Sequence, residues 1–179
     1  MLYTWRKSRW WRLLGFLGAV VAMAIPATAM AASPQTPQCD IEFEWQITNV
    51  GSPYTTYGSW NTGDQGSCSS GAQSCTLSFS KTIGWSNSVS GTDEVGTSAI
   101  SSAVGFTVTY SSSSTAQYSV TYSGGQTATI YWRDVYSTKK VTQEEYYKYI
   151  CGGSWQPTGT YEYAYAHKWE YFGFKSTVS

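Results

Sequence analysis

Residues 160–174 read Thr-Tyr-Glu-Tyr-Ala-Tyr-Ala-His-Lys-Trp-Glu-Tyr-Phe-Gly-Phe, and no other part of the chain has so regular a pattern. Every second residue from Tyr161 to Tyr171 has an aromatic ring, and the residues between them are small or charged. Because successive side chains of a β-strand point to opposite faces, this spacing places six rings on one face of one strand. The stretch therefore predicts a long β-strand that is aromatic on one side.

The same alternation recurs in shorter runs through the rest of the chain. The first run, 41–48, places four apolar residues on the face that we predict to be buried: Ile41, Phe43, Trp45 and Ile47. Further strands are predicted at 75–83, 104–110, 118–122, 126–137 and 141–150. Turns rich in Gly and Ser separate the runs, and Gly124-Gly125 is a hairpin signal. Together the runs predict an all-β domain, built as an elongated antiparallel sheet or as a sandwich.

Two segments lack this alternation. Residues 49–74 are rich in Gly, Ser, Asn and Asp, and we predict a long loop there. Residues 86–103 are mostly small, and their weak pattern fits a strand, one or two helical turns begun at Asp93, or a mobile loop. The sequence leaves these three structures open.

The first 31 residues have the features of a secretory signal peptide. Four basic side chains precede an apolar run at 13–25, and Ala29-Met30-Ala31 supplies the small residues that a signal peptidase reads. The run is shorter than the roughly 20 residues of a membrane span, and a retained N-terminal anchor is the alternative. We predict a signal peptide at 1–31, a flexible segment at 32–40 and a single domain at 41–179, in a secreted, extracellular protein.

Removal of that signal peptide changes the charge of the protein. The full chain has 11 basic and 11 acidic side chains, and four of the basic ones lie in the first 12 residues. The remaining 148 residues have seven basic and eleven acidic side chains, a net charge of −4 with the single histidine neutral. Since a phosphate backbone requires a positive surface, we expect no nucleic-acid partner.

Four cysteines follow the signal peptide: Cys39, Cys68, Cys75 and Cys151. An even number in a secreted chain indicates two disulfides, and three pairings are compatible with the sequence. We favour Cys68 with Cys75, which closes a short loop, and Cys39 with Cys151. Zinc binding is disfavoured because there is no C-x-x-C pair and only one histidine, so we expect no metal and no cofactor.

Catalytic motifs are scarce. His167 is the one histidine, it lies within the aromatic row, and no G-x-S-x-G sequence surrounds any serine. Glu42 with Glu44, or Glu144 with Glu145, are the carboxylate pairs that a glycosidase would need, and we expect both pairs to be solvated. We therefore expect a protein that is not an enzyme.

The aromatic content favours a binding function. Phe, Trp and Tyr make up 25 of the 148 residues, whereas Leu77 is the one leucine among them. Tyr and Trp rings stack on sugars, which makes five residues of the row candidate ligand contacts: Tyr161, Tyr163, Tyr165, Trp169 and Tyr171. The alternative is that this face of the strand supplies the core of a leucine-poor domain.

The chain also resembles two groups of proteins. Residues 85–141 resemble the central region of aerolysin-type β-pore proteins (epsilon-toxin and mosquitocidal-toxin-like), through Val104-Gly-Phe-Thr-Val-Thr-Tyr and Gln117-Tyr-Ser-Val-Thr-Tyr-Ser-Gly-Gly-Gln around a small-residue segment at 86–102. This resemblance implies an elongated, twisted antiparallel sheet whose inner segment inserts into a membrane as a hairpin. The exported part is also similar to secreted Ser/Thr/Tyr-rich proteins of actinobacteria, through Gly-Phe-Thr-Val-Thr, Tyr131-Trp-Arg-Asp-Val-Tyr and Cys151-Gly-Gly.

Three functions are consistent with these features. The first is a secreted, non-enzymatic β protein that binds an extracellular glycan or a cell-surface component through aromatic side chains. The second is a β-pore-forming, toxin-like protein, and only in that case is a membrane its partner. The third is a secreted hydrolase that uses His167.

Overall fold

The computed structural model describes residues 39–179. The predicted signal peptide at 1–31 and most of the predicted flexible segment at 32–40 lie outside the described residues. The elements are β1 (Ile41–Val50), β2 (Tyr54–Tyr57), β3 (Asn61–Ser67), β4 (Ser74–Ser86), β5 (Ser88–Gly91), α1 (Thr97–Val104), β6 (Ser111–Ser123), β7 (Thr127–Tyr149) and β8 (Gln156–Val178). The prediction of an antiparallel all-β domain is confirmed.

β7 is the organising strand of the larger sheet. It has 23 residues and pairs with β8 along almost its whole length. Its other edge pairs in succession with β3, β2 and β1, and β5 pairs with the outer edge of β8. β4 and β6 form a separate sheet of two strands. All of these pairings are antiparallel.

The two predicted strands at 126–137 and 141–150 are one continuous strand, β7. The residues between the two predicted strands are polar: Thr138, Lys139 and Lys140. Thr138 is fully buried, and hydrogen bonds between its hydroxyl and neighbouring strands offset the cost of that burial. The Lys139 Nζ donates to the carbonyl oxygen of Val104 at the end of α1 over 2.9 Å. These contacts satisfy the polar groups at 138–140, where the apolar alternation of the sequence is interrupted but the strand continues.

The larger sheet is covered on opposite faces at its two ends. We call the face that carries the even-numbered residues of β7 face A, and the face that carries the odd-numbered residues face B. The two-stranded β4–β6 sheet covers one end of face A, around a cluster made by Phe79, Ala116, Ile130 and Phe172. The segment containing α1 covers the other end of face B, around Ile100, Val104, Val108, Val141, Ala164 and Ala166. The uncovered part of face A therefore lies diagonally across the sheet from the uncovered part of face B.

Two sequence predictions of local structure are wrong. The predicted loop at 49–74 contains β2 and β3, because its backbone groups pair with β7 although its side chains lack an apolar alternation. The predicted strand at 104–110 is instead the end of α1 followed by turns. Gly105, with φ of 81°, adopts the left-handed conformation that ends the helix, and its N–H donates to the carbonyl oxygen of Ser101.

The segment at 86–103, which the sequence left open, forms β5 and most of α1. Ile100 of α1 is fully buried, so this segment contributes to the core. The small residues of this segment weaken its apolar alternation, and they also allow the short helix α1 to lie close to face B.

The predicted apolar face of β1 is only partly buried. Trp45 and Ile47 are half-buried, whereas Ile41 is 45% exposed and Phe43 is 58% exposed. The buried half of this face lies close to the α1 segment, since Ile47 packs on the cluster that contains Ile100. The prediction that all four side chains are buried is therefore wrong for Ile41 and Phe43.

Two disulfides link the described residues. Cys39 is bonded to Cys151, and Cys68 is bonded to Cys75, which is the pairing that the sequence favours. Such bonds are typical of proteins that fold in an oxidising, extracellular compartment. Within residues 39–179, the one helix is too short and too polar to cross a membrane.

Candidate functional site

A β-bulge at Glu170 divides the aromatic row of β8. Val135 of β7 lies opposite Tyr171, and the next residue, Tyr136, lies opposite Trp169, so Glu170 is one extra residue in β8. The extra residue reverses the alternation, which places Tyr171 on face B and Trp169 on face A. The expectation that six rings share one face is therefore wrong for Tyr171. The bulge does not interrupt the alternating sequence, so the alternation alone does not reveal it.

The remaining five rings of the row lie on face A, but they have different surroundings. Trp169 stacks on Trp85 of β4 with 4.3 Å between the ring centroids, at the margin of the β4–β6 sheet. Tyr161 is 48% exposed and Tyr163 is 40% exposed, beyond the part of face A that the β4–β6 sheet covers. We call the uncovered tyrosines of face A the tyrosine surface: Tyr146, Tyr161, Tyr163 and Tyr165.

A buried carboxylate lies within the tyrosine surface. Glu144 is 8% exposed, so the expectation that it is solvated is wrong. The Tyr146 hydroxyl donates to Glu144 Oε2 over 3.3 Å. A hydrogen bond to Glu144 is the largest cause of the raised pKa of Tyr161. Burial, followed by the charge of Glu144, raises the pKa of Tyr146. Both phenols thus stay protonated at neutral pH, and the hydrogen bond to Glu144 orients the Tyr146 ring.

Lys140 adds a positive charge to the same surface. Its Nζ lies 3.5 Å from the centroid of the Tyr163 ring, within the range of a cation–π contact. The tyrosine surface therefore combines flat rings with a carboxylate and an ammonium group. Such an arrangement suits sugars, which present apolar ring faces and hydroxyls at the same time.

A second polar arrangement crosses four strands at one end of the tyrosine surface. His167 of β8 contacts Ser90 of β5, with 2.9 Å between Nε2 and Oγ. On its other side, Nδ1 lies 2.8 Å from the hydroxyl of Thr138, which in turn bonds to Thr56 of β2. Sequence reasoning singled out His167 and missed Ser90, because Ser90 lies in the segment that was left without an assigned structure.

The surroundings of His167 suit a neutral imidazole. Burial lowers its pKa from the usual histidine value, so the ring is uncharged at pH 7. With Nδ1 donating to Thr138, Nε2 is free to accept the hydroxyl proton of Ser90. A cavity of about 220 Å³ adjoins the ring, and it is lined by Thr56, Tyr57, Gly58, Ser88, Tyr136 and His167.

Metal ligands do not gather in the described part of the chain. Across residues 39–179, no three His, Cys, Asp or Glu side chains form a group suited to a metal ion. The other carboxylate pair, Glu42 and Glu44, is exposed on β1, and Glu42 forms a salt bridge of 2.9 Å with Lys148.

Comparisons with known proteins give little further information. No family model matches the chain, and no curated protein matches it. Among solved structures, the parasporin-2 Bacillus thuringiensis toxin that recognizes cancer cells is similar over 78% of this chain and 75% of that chain, with 13% identity. Parasporin-2 is an aerolysin-type toxin, but the TM-score of 0.23 is too low for this likeness to carry an argument. None of these comparisons shows the resemblance to actinobacterial proteins.

Proposed function

We propose that this chain is a secreted, non-enzymatic protein that binds an extracellular glycan on its tyrosine surface. The observation that carries the proposal is the position of Tyr161 and Tyr163. Both rings lie on face A where neither packing layer covers them, and each remains at least 40% exposed. Exposed, adjacent rings held in register by a strand offer a flat surface for sugar stacking.

The buried Glu144 supports the same function. An ionisable group is rarely buried unless it is hydrogen-bonded or paired, and the bond from the Tyr146 hydroxyl offsets part of the cost of burying this one. That bond also restricts the rotation of the Tyr146 ring. A ligand would then lose less side-chain entropy on binding, which favours affinity.

Affinity electrophoresis in gels that contain neutral polysaccharides or solubilised peptidoglycan tests the proposal. Tyr163→Ala should weaken binding about three- to tenfold, since it removes one stacking ring, whereas Tyr163→Phe retains the ring and most of the affinity. Tyr149→Ala is the matched control, because Tyr149 is similarly exposed, at 50%, but lies on face B and outside the tyrosine surface. The proposal fails if no polymer retards the protein, or if the Tyr163→Ala and Tyr149→Ala variants lose affinity equally.

A second function is supported by the contact between Ser90 and His167. We infer that this pair has the geometry for ester hydrolysis, with Ser90 as nucleophile and His167 as base. Ser90 Oγ would attack the ester carbonyl carbon while its proton passes to Nε2. The alcohol would leave with that proton, and water would then release the acid from the acyl-serine.

A fluorophosphonate probe and a p-nitrophenyl ester test this second function. Ser90→Ala and His167→Gln should each abolish labelling and ester turnover. Ser88→Ala should not, because Ser88 lies two residues away on the same strand and, among the described residues, its side chain has no hydrogen bond to the His167 ring. Labelling that persists in Ser90→Ala, or its absence from the unmodified protein, would rule the function out.

A further inference from the structure

The uncovered end of face B carries a cluster of cationic and aromatic side chains. These residues come from β7, from β8, and from the end of β2 and the turn that follows it. We call them the cationic cluster: Tyr57, Trp60, Tyr131, Arg133, Tyr171 and Lys175. They lie across the sheet from the tyrosine surface, so the inference below concerns a separate site.

Stacking holds the Arg133 side chain in place. Its guanidinium carbon lies 3.8 Å from the centroid of the Tyr57 ring and 4.3 Å from that of the Trp60 ring. Gly173 lies opposite Arg133 in the pairing of β7 with β8, and a Cβ added there would lie 3.7 Å from Arg133 Cγ and only 3.1 Å from Val135 Cγ2. The glycine therefore leaves room for the arginine stem to lie across β8.

A second cation lies beside the same indole ring. The Lys175 Nζ is 4.5 Å from the centroid of the Trp60 ring and 5.1 Å from that of the Tyr131 ring. The two positive charges beside one ring repel each other, and an anion bound near both would offset that repulsion.

Neither cation has an anionic partner within residues 39–179. The salt bridges found there join Lys148 to Glu42 and Lys168 to Glu170. The Nε of Arg133 is buried without a hydrogen-bond acceptor in the described part of the chain. A buried donor left without an acceptor costs about 1–3 kcal/mol, so this arrangement is unfavourable for stability alone.

We propose that the cationic cluster binds an oxyanion carried on a sugar ring, that is, the sulfate or carboxylate of an acidic glycan. A guanidinium whose flat faces are stacked presents its N–H edge, which matches an acceptor group with two oxygens. Lys175 supplies a second charge for the same group. Tyr57 and Tyr171 are 56% and 57% exposed, and their rings are available to stack on the sugar.

The net negative charge of the exported chain disfavours nonspecific binding to acidic polymers. With eleven acidic and seven basic side chains after residue 31, the protein as a whole repels polyanions. Retention on an acidic glycan therefore requires a local site with unpaired cations, and the cationic cluster is such a site.

Dextran in three forms tests the proposal with one polymer backbone: dextran sulfate, carboxymethyl dextran and unmodified dextran. Immobilised dextran sulfate or carboxymethyl dextran should retain the exported chain at low ionic strength, and unmodified dextran should not. The first two polymers distinguish a sulfate ligand from a carboxylate ligand. Retention should fall as salt is added, because charge contacts dominate binding.

Substitutions then locate the site. Lys175→Gln should weaken binding to the retaining polymer about tenfold, as expected for the loss of a hydrogen bond between charged groups. Lys81→Gln is the matched control, since Lys81 is exposed on β4 and lies outside the cluster. Arg133→Lys keeps the charge but loses the two-pronged geometry, so it should also bind more weakly. If circular dichroism shows that the Arg133→Lys variant is not properly folded, the Lys175→Gln variant still provides the test.

Three results would overturn the proposal. The first is equal retention on all three polymers. The second is no retention on either anionic polymer at low salt. The third is equal affinity of the Lys175→Gln and Lys81→Gln variants. Tyr163→Ala should leave retention on the anionic polymers unchanged, which separates this site from the tyrosine surface.

Discussion

His167 shows how a single residue is held in one protonation state by its neighbours. Each ring nitrogen has a hydroxyl partner, Nε2 facing Ser90 and Nδ1 facing Thr138, so the neutral ring can donate on one side and accept on the other. Burial removes water that would solvate an imidazolium and so lowers the pKa of the ring. The same hydrogen bonds fit a structural role and the base of the proposed dyad.

The lowered pKa of His167 predicts a pH dependence of stability. The folded protein binds this proton less readily than the unfolded chain does. The contribution is therefore fully present above the usual histidine pKa of about 6.5, and it is lost as the pH falls through the lower folded value. Thermal unfolding from pH 8 to pH 5 should show a larger loss of Tm for the unmodified protein than for His167→Gln. Parallel curves for the two proteins would contradict this.

The strands show how far local pattern predicts structure. The alternation at 160–174 predicts the strand β8, which the structure confirms, and the exposed tyrosines of this strand are the candidate ligand contacts that the sequence indicates. The Glu170 bulge was not predictable, because its one extra residue is visible only against the partner strand β7. β2 and β3 were missed for a related reason, since a strand that pairs with β7 through its backbone needs no apolar alternation of its own.

The helix α1 carries a prediction about core packing. Ile100 is fully buried against β7 and β8, so Ile100→Ala should leave a cavity and lower the free energy of unfolding by about 2–5 kcal/mol. Val178→Ala is the control, because Val178 is 43% exposed and should change stability little. Urea unfolding measures both. Equal effects would mean that α1 does not pack on the sheet as described.

The whole domain places its two packing layers at opposite ends and on opposite faces of one sheet. The uncovered parts of face A and face B therefore carry different chemistry. Face A offers tyrosines around the carboxylate of Glu144, and face B offers cations held by aromatic rings. Neither surface was predictable as a unit from sequence, because the residues of each come from strands far apart in the chain.

The two disulfides should contribute unequally to the stability of the domain. Chain-entropy theory gives about 5 kcal/mol for Cys39–Cys151, which spans 112 residues, and about 2 kcal/mol for Cys68–Cys75, which spans seven. Replacing each pair by alanines and measuring urea unfolding tests this order. A larger loss from the Cys68–Cys75 pair would contradict it.

The Glu170 bulge also limits how the gene for this protein can change. Deleting one codon from β8 between the bulge and the tyrosines would exchange the faces of every residue beyond it, sending rings into the core layer and alanines to the surface. Deleting two codons would preserve the faces. Natural length variation in this strand should therefore occur in even numbers of codons, a signature that comparative genomics can recognise without any binding assay.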